Sequence, residues 1–255
     1  PSEEALIDQA GGQAQQWYQD FILTIKLGHL LEPRGRCASD LYDSLLTIQT
    51  LEPMYNGLRR QLAASLLDET QQALNAYLKT DTRELFRRWN KADQYDKYPG
   101  YMARANELIG KKSFLYNHLH TKQHYFEGLA ARLDAEKYRD TNYLHMACLS
   151  QRRALRYEPQ ASYVLNELGI LHSLLQTDSA MVFFKKAIDY SPTWGIPWSN
   201  LALAYLNHGQ MDSALYYGKE AVRLAPWNVI AMNTLGMVYG EIGRLDDSEK
   251  WISQA

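Results

Sequence analysis

PTWGIPWSNLALAYLNHGQMDSALYYGKEAVRLAP, residues 192–226, reads as two helices joined by a glycine and closed by proline. Trp198, Leu201, Ala202 and Tyr205 recur at helical spacing, Gly209 opens the turn, and Ala214 and Ala221 mark one face of the second helix. Pro192 and Pro226 bracket one full unit, and a similar pattern lies on each side. Before it come Leu168-Gly169, Ala180, Phe184 and Ala187. After it come Leu235-Gly236, Tyr239, Gly243, Ser248, Ile252 and Ala255. A fixed period of this length is the signature of a stacked helical repeat, in which each unit buries its apolar face against the next.

Proline supplies the punctuation. It lacks the amide hydrogen needed to continue a helix, so Tyr157-Glu158-Pro159, Tyr190-Ser191-Pro192 and Leu224-Ala225-Pro226 each end a second helix and aim the next first helix. The interval between these three is constant to within a single position. Leu31-Glu32-Pro33 and Leu51-Glu52-Pro53 carry the same ending at a much shorter interval, so any repeats there are degenerate.

The units resemble those of the tetratricopeptide-repeat (TPR) family over about residues 124–255. The resemblance implies an all-α fold: a right-handed superhelical array of antiparallel helix pairs, an α-solenoid, preceded by an irregular helical region. The expected division is 1–112 for that region and 113–255 for the array. Within the array the units are 124–161 (irregular), 162–194, 195–228 and 229–255 (truncated). Gly169, Ala202 and Gly236 take the close-approach position of the first helix, and Ala180, Ala214 and Ser248 that of the second. Ala187, Ala221 and Ala255 pack towards the next unit. Three departures stand out: Gln176 replaces the turn glycine, Gly218 replaces an aromatic, and a longer turn is expected through Asp134–Thr141.

Upstream, helical spacing also dominates. The expected helices cover 38–52 (stopped by Pro53), 54–78, 82–89 (capped by Asp81), 101–109 and about 113–133, with a polar loop over 90–100.

Composition narrows the function. With 27 basic and 29 acidic residues, the formal net charge is −2, which lacks the basic stripe that nucleic-acid binding requires. Arg83, Arg87, Arg88 and Lys91 form a local basic cluster, read as a solvated helix face. Cys37 and Cys148 are too few and too far apart for a disulfide framework, so a reducing, cytoplasmic setting is expected. No apolar run reaches the length of a membrane span. The chain starts at Pro1 and stops at Ala255 within a second helix without a polar cap, so further domains of a longer polypeptide are expected.

No catalytic constellation is complete. His120 and His124 share a helix face, but His118 points elsewhere, and the H-E-x-x-H order that brings a general base to zinc is missing. Gly110-Lys111-Lys112-Ser113 has the wrong order and no preceding strand for a phosphate loop. Cys148 and His145 lie on one helix with no third group to orient the base. No enzyme activity, cofactor or metal is expected.

By resemblance, the first helices line a concave groove for a partner peptide or helix. Its residues are Asn166, Ile170, Ser173, Leu174, Ser199, Leu203, Leu206, Asn207, Asn233, Met237 and Glu241. Asn200 fits one position of the carboxylate clamp that some TPR proteins use for chaperone tails, but Ile230 and Thr234 replace the bases it needs. Two occupants stay open for the groove: an external peptide, or a helix of the same chain such as 54–78. Trp198 is expected in the inter-helix core. Trp194 and Trp227, beside the proline turns, are expected to fill packing gaps, with an exposed pair of anchors as the alternative. The functional expectation is a non-catalytic protein-interaction scaffold. The alternative is the sensor or adaptor segment of a larger bacterial effector, by loose similarity to the non-catalytic helical part of bacterial multidomain proteins such as caspase-like peptidases.

Overall fold

A computed structural model describes residues 2–90 and 95–255 of the chain, all of whose regular structure is helical. The helices are α1 (Glu3–Ala10), α2 (Gly12–Lys26), α3 (Ala38–Leu45), α4 (Tyr55–Leu78), α5 (Thr82–Asn90), α6 (Tyr98–Ile109) and α7 (Tyr116–Tyr138). They continue with α8 (Thr141–Tyr157), α9 (Ser162–Leu174), α10 (Ala180–Tyr190), α11 (Gly195–Asn207), α12 (Met211–Leu224), α13 (Val229–Glu241) and α14 (Leu245–Gln254). They form two compact units. One comprises the residues up to Gln72 with Lys97–Gln123, and the other comprises Ala73–Asp96 with His124–Ala255. The described residues among 73–96 therefore pack with the repeats, whereas the sequence pattern groups them with the N-terminal region.

The first unit has a core of Phe21, Leu45, Leu51, Leu62, Leu66, Met102 and Leu119. Its helix starts differ from expectation at two prolines. The helix expected over 38–52 stops at Leu45, and Pro53 lies inside a 3-10 turn, Gln49–Met54, that leads directly into α4. The Tyr55 hydroxyl reaches the carbonyls of Leu46 (2.7 Å) and Ile48 (2.9 Å), which supports the break. Pro99-Gly100 does not close the loop but sits in the first turn of α6, where a missing amide hydrogen costs nothing. The rest of that loop, 91–94, lies outside the described residues, as does Lys91 of the basic cluster.

In the second unit the helices pair as antiparallel hairpins: α9 with α10, α11 with α12, and α13 with α14. Each first helix also packs on the next, α9 on α11 and α11 on α13. Small residues sit where the helices cross. A methyl on Gly169 would overlap the Phe184 ring, and one on Gly236 would come within 2.7 Å of Ile252. Gly218 brings α12 close to α13, since a Cβ there would lie 3.3 Å from Leu235. Ala180, Ala187, Ala202, Ala214 and Ala221 are buried, Ser248 is half-buried and Ala255 is exposed.

Each proline occupies the second position of a hydrogen-bonded turn, where its fixed φ fits. The bonds run from Ala161 N to Glu158 O (3.2 Å), Trp194 N to Ser191 O (3.1 Å) and Asn228 N to Ala225 O (3.0 Å). The first helices end alike, with a residue in the left-handed region: Gln176 (φ 54), Gly209 (φ 70) and Gly243 (φ 77). The following amide then returns to a carbonyl in the last turn of the helix, 2.9 Å in each case, from Thr177 to His172, Gln210 to Tyr205 and Arg244 to Tyr239. The turn expected over Asp134–Thr141 is shorter, because α7 continues to Tyr138 and Arg139 takes the left-handed position (φ 54).

Candidate functional site: the first-helix face

Along the first helices, buried polar groups pair from one repeat to the next. The Asn166 amide donates to the Tyr77 hydroxyl (2.9 Å), and its oxygen accepts from Asn200 (2.9 Å). The Ser199 and Thr234 hydroxyls meet at 3.1 Å. Glu167 is fully buried and pairs with Arg132 of α7, which also donates to Glu136 at 2.6 Å.

Tyr77 is itself enclosed. Arg88 lies over its ring at 3.6 Å, and Trp194 meets it edge-on at 5.2 Å. Arg88 donates to Glu84 (3.1 Å) and to the Tyr125 hydroxyl (2.8 Å), while the Tyr95 hydroxyl donates to the same Glu84 oxygen (2.8 Å). Burial pushes the Tyr77 phenol up to about 12 and the Tyr125 phenol well above its usual value. Arg88 is thus a buried, paired residue and not part of a solvated basic face.

The expected groove residues divide in two. Asn166 and Ser199 are buried in the polar pairing just described, so they are corrected from surface contacts to internal packing. At the clamp positions, half-buried Asn200 bonds Asn166 and buried Thr234 bonds Ser199. Ile170, Leu203 and Leu206 are half-buried, and Ser173, Leu174, Asn207, Asn233, Met237 and Glu241 are exposed. Tyr77 of α4 and Arg132 and Tyr125 of α7 pack on α9 at Asn166, Glu167 and Tyr163, while exposed residues remain at the C-terminal end of α9 and on α11 and α13. Ser173 and Asn207 meet in one cleft of about 460 Å³, lined also by Gln176, Thr177, Ala180, Ala204 and His208.

Tyr77, Arg132, Glu167 and His208 were not singled out by pattern, and Arg88 was read only as part of a solvated basic face. One signal was present: Glu167 falls within the apolar run SYVLNELGIL, where a carboxylate needs a partner. The tryptophans separate, with Trp194 buried against Tyr77 and Trp227 59% exposed. Trp198 packs against the core and donates to the Pro192 carbonyl at 3.0 Å.

The candidate catalytic groups do not assemble. Burial pushes the Cys148 thiol up, and His145 is exposed on the same helix. Burial and the Asp40 carboxylate, 2.9 Å away, push the Cys37 thiol up as well. His120 packs on Tyr116 (4.2 Å), and His124 contacts Glu127 (2.7 Å). Gly110 is the C-cap of α6 (φ 78), not a phosphate loop after a strand. Among the described residues, no three His, Cys, Asp or Glu side chains form a metal-holding group, and no helix is long and apolar enough to cross a membrane.

Paired helices with small residues at each crossing, advancing at a near-constant interval from α9 to α11 to α13, define the second unit. It is a TPR fold. No protein-family model matches the chain, and no curated protein matches it. Among solved structures, it is similar to MamA residues 41-end from Desulfovibrio magneticus RS-1, at 13% identity and a TM-score of 0.48, covering 75% of this chain and 92% of that one. The MamA RS-1 ArsTM double mutant is similar at 12% identity and a TM-score of 0.49, covering 75% and 91%. YrrB, a TPR protein with an unusual peptide-binding site, is similar at 14% identity and a TM-score of 0.43, covering 69% and 91%.

Proposed function

We propose that this chain is a non-catalytic scaffold that binds an extended peptide or a helix of a partner protein on the open part of its first-helix face. The observation that carries this reading is the contrast along that face. Asn166 and Ser199 are buried among the chain's own residues, whereas Asn207, Asn233, Met237 and Glu241 remain exposed beside half-buried Leu203 and Leu206. Leu203, Leu206 and Met237 offer apolar area to partner side chains. The Asn207 and Asn233 amides offer both donors and acceptors to a peptide backbone.

On this reading the chain's own Tyr77 takes the place beside Asn166, and the external peptide takes the exposed residues. Peptides selected from a random phage-displayed library against the purified chain supply the test. Leu203→Ala combined with Asn207→Ala should weaken their binding by about tenfold or more, the effect of removing a central contact. Undiminished binding by a double variant with an unchanged melting curve would contradict the assignment.

A further inference from the structure

Phe114 stands in the turn between α6 and α7 and is 94% exposed, while among the described residues no other large apolar side chain exceeds 70%. The turn is held in place. Gly110 caps α6 at φ 78, the Leu115 amide donates to the Ser113 hydroxyl (3.2 Å), and the Tyr116 amide donates to the Ser113 carbonyl (3.1 Å). An aromatic side chain on a fixed turn loses little freedom on association, which suits it to act as a knob. Exposed Lys111 and Lys112 precede it.

The next residue, Leu115, lines a pocket of about 360 Å³ in the same compact unit. Ala64 and Leu67 of α4 and Leu119 of α7 complete its apolar lining, and His118 adds an imidazole ring. Lys122, buried in the same lining, donates to the Gln71 side-chain oxygen. Asp68 is exposed at the pocket and accepts from the Gln72 amide (2.8 Å). Among the described residues no cation pairs with Asp68, and no carboxylate pairs with Lys111 or Lys112.

We propose that this surface pairs two copies of the chain about a two-fold axis, each Phe114 ring entering the pocket of the other copy. Knob and pocket adjoin through Leu115, so a two-fold axis beside them makes both contacts at once. The pocket has room for a phenyl ring, and burying an almost fully exposed one is favourable. Lys111 and Lys112 then approach the other copy's Asp68 with opposite sign. A membrane surface is the poorer occupant, because one aromatic and two lysines fall short of the combined signals that stable anchoring takes. Two such contacts lie at the low end of interface sizes, so the dimer is weak and depends on concentration.

Sedimentation equilibrium of the full chain from about 10 µM to about 1 mM tests this. The expected result is a mass that rises with concentration from the monomer towards twice that value and no further. Phe114→Ser, and Ala64→Trp, which fills the pocket from an exposed position, should each weaken association by about tenfold or more. Mixing the two variants should recover part of it, since one keeps the pocket and the other the knob. Asp68→Lys should weaken association, and adding Lys111→Glu and Lys112→Glu to it should restore it. A chain that stays monomeric throughout, association undiminished in Phe114→Ser, or growth beyond the dimer overturns the proposal. Phe114-dependent binding of a strictly monomeric chain to phosphatidylcholine–phosphatidylserine vesicles would overturn it in favour of a membrane surface.

Discussion

The Asn166 side-chain amide donates to the Tyr77 hydroxyl at 2.9 Å, joining two buried residues 89 positions apart in the chain. The bond ties the start of α9 to the end of α4. Tyr77→Phe removes the acceptor and leaves a buried amide hydrogen unpaired, which should cost about 1–3 kcal/mol in urea-induced unfolding at neutral pH. The phenol also has a pH signature. Burial raises it from 10.0 to about 12, so the folded state favours the protonated form. Its contribution is complete below pH 10 and is lost as the pH rises towards 12. The stability of Tyr77→Phe should therefore fall less steeply over that alkaline range than that of the unsubstituted chain.

Gln176 adopts φ 54 at the position where the next two hairpins have glycine. A left-handed backbone strains any residue with a Cβ by about 1–2 kcal/mol, and glycine returns part of that gain as unfolded-state entropy. Gln176→Gly should raise stability by about 1 kcal/mol, read as a higher melting temperature. Gly209→Gln should do the reverse.

Gly169 faces Phe184 so closely that a methyl would overlap the ring. Gly169→Ala should destabilise by about 1–3 kcal/mol, the range for overpacking a filled core. Combining it with Phe184→Leu should cost less than the sum of the two single changes, because the smaller side chain vacates the space the methyl needs. Strict additivity in that double-mutant cycle would show that the crossing is looser than described.

His172 stacks on Phe183 at 4.9 Å and contacts the Thr177 hydroxyl at 2.7 Å. Burial, and secondarily Arg152, hold its imidazole below the ordinary 6.5, so folding favours the neutral ring. Its stabilising contribution is present above pH 6.5 and is lost as the pH falls from there through the lower folded value. His172→Phe should flatten the decline in melting temperature between about pH 7 and pH 5.

Local patterns made the hairpins readable. Gly169, Ala202, Gly236 and the prolines at 159, 192 and 226 act within one or two turns of chain, and the structure uses each for the crossing or turn its chemistry suits. The closed end of the face was not readable, because Tyr77–Asn166 and Arg132–Glu167 join residues from separate helices with no shared period. Those pairs follow from burial: Glu167, fully enclosed in an apolar run, and Arg88, packed among Tyr77, Tyr95 and Tyr125, had to find partners inside. Proline was the other source of difference. Its rigid φ serves a 3-10 turn at Pro53 and a helix start at Pro99, and sequence alone favours reading both as stops.

The most direct test of the scaffold account is methyl NMR of the chain with labelled methionines, titrated with a peptide selected from the phage library. Met237 is 43% exposed on the first-helix face of α13, and Met146 is 56% exposed on α8. The account predicts a saturable shift of the Met237 methyl with Met146 unmoved. Saturable binding that shifts Met146 and leaves Met237 unmoved would contradict it.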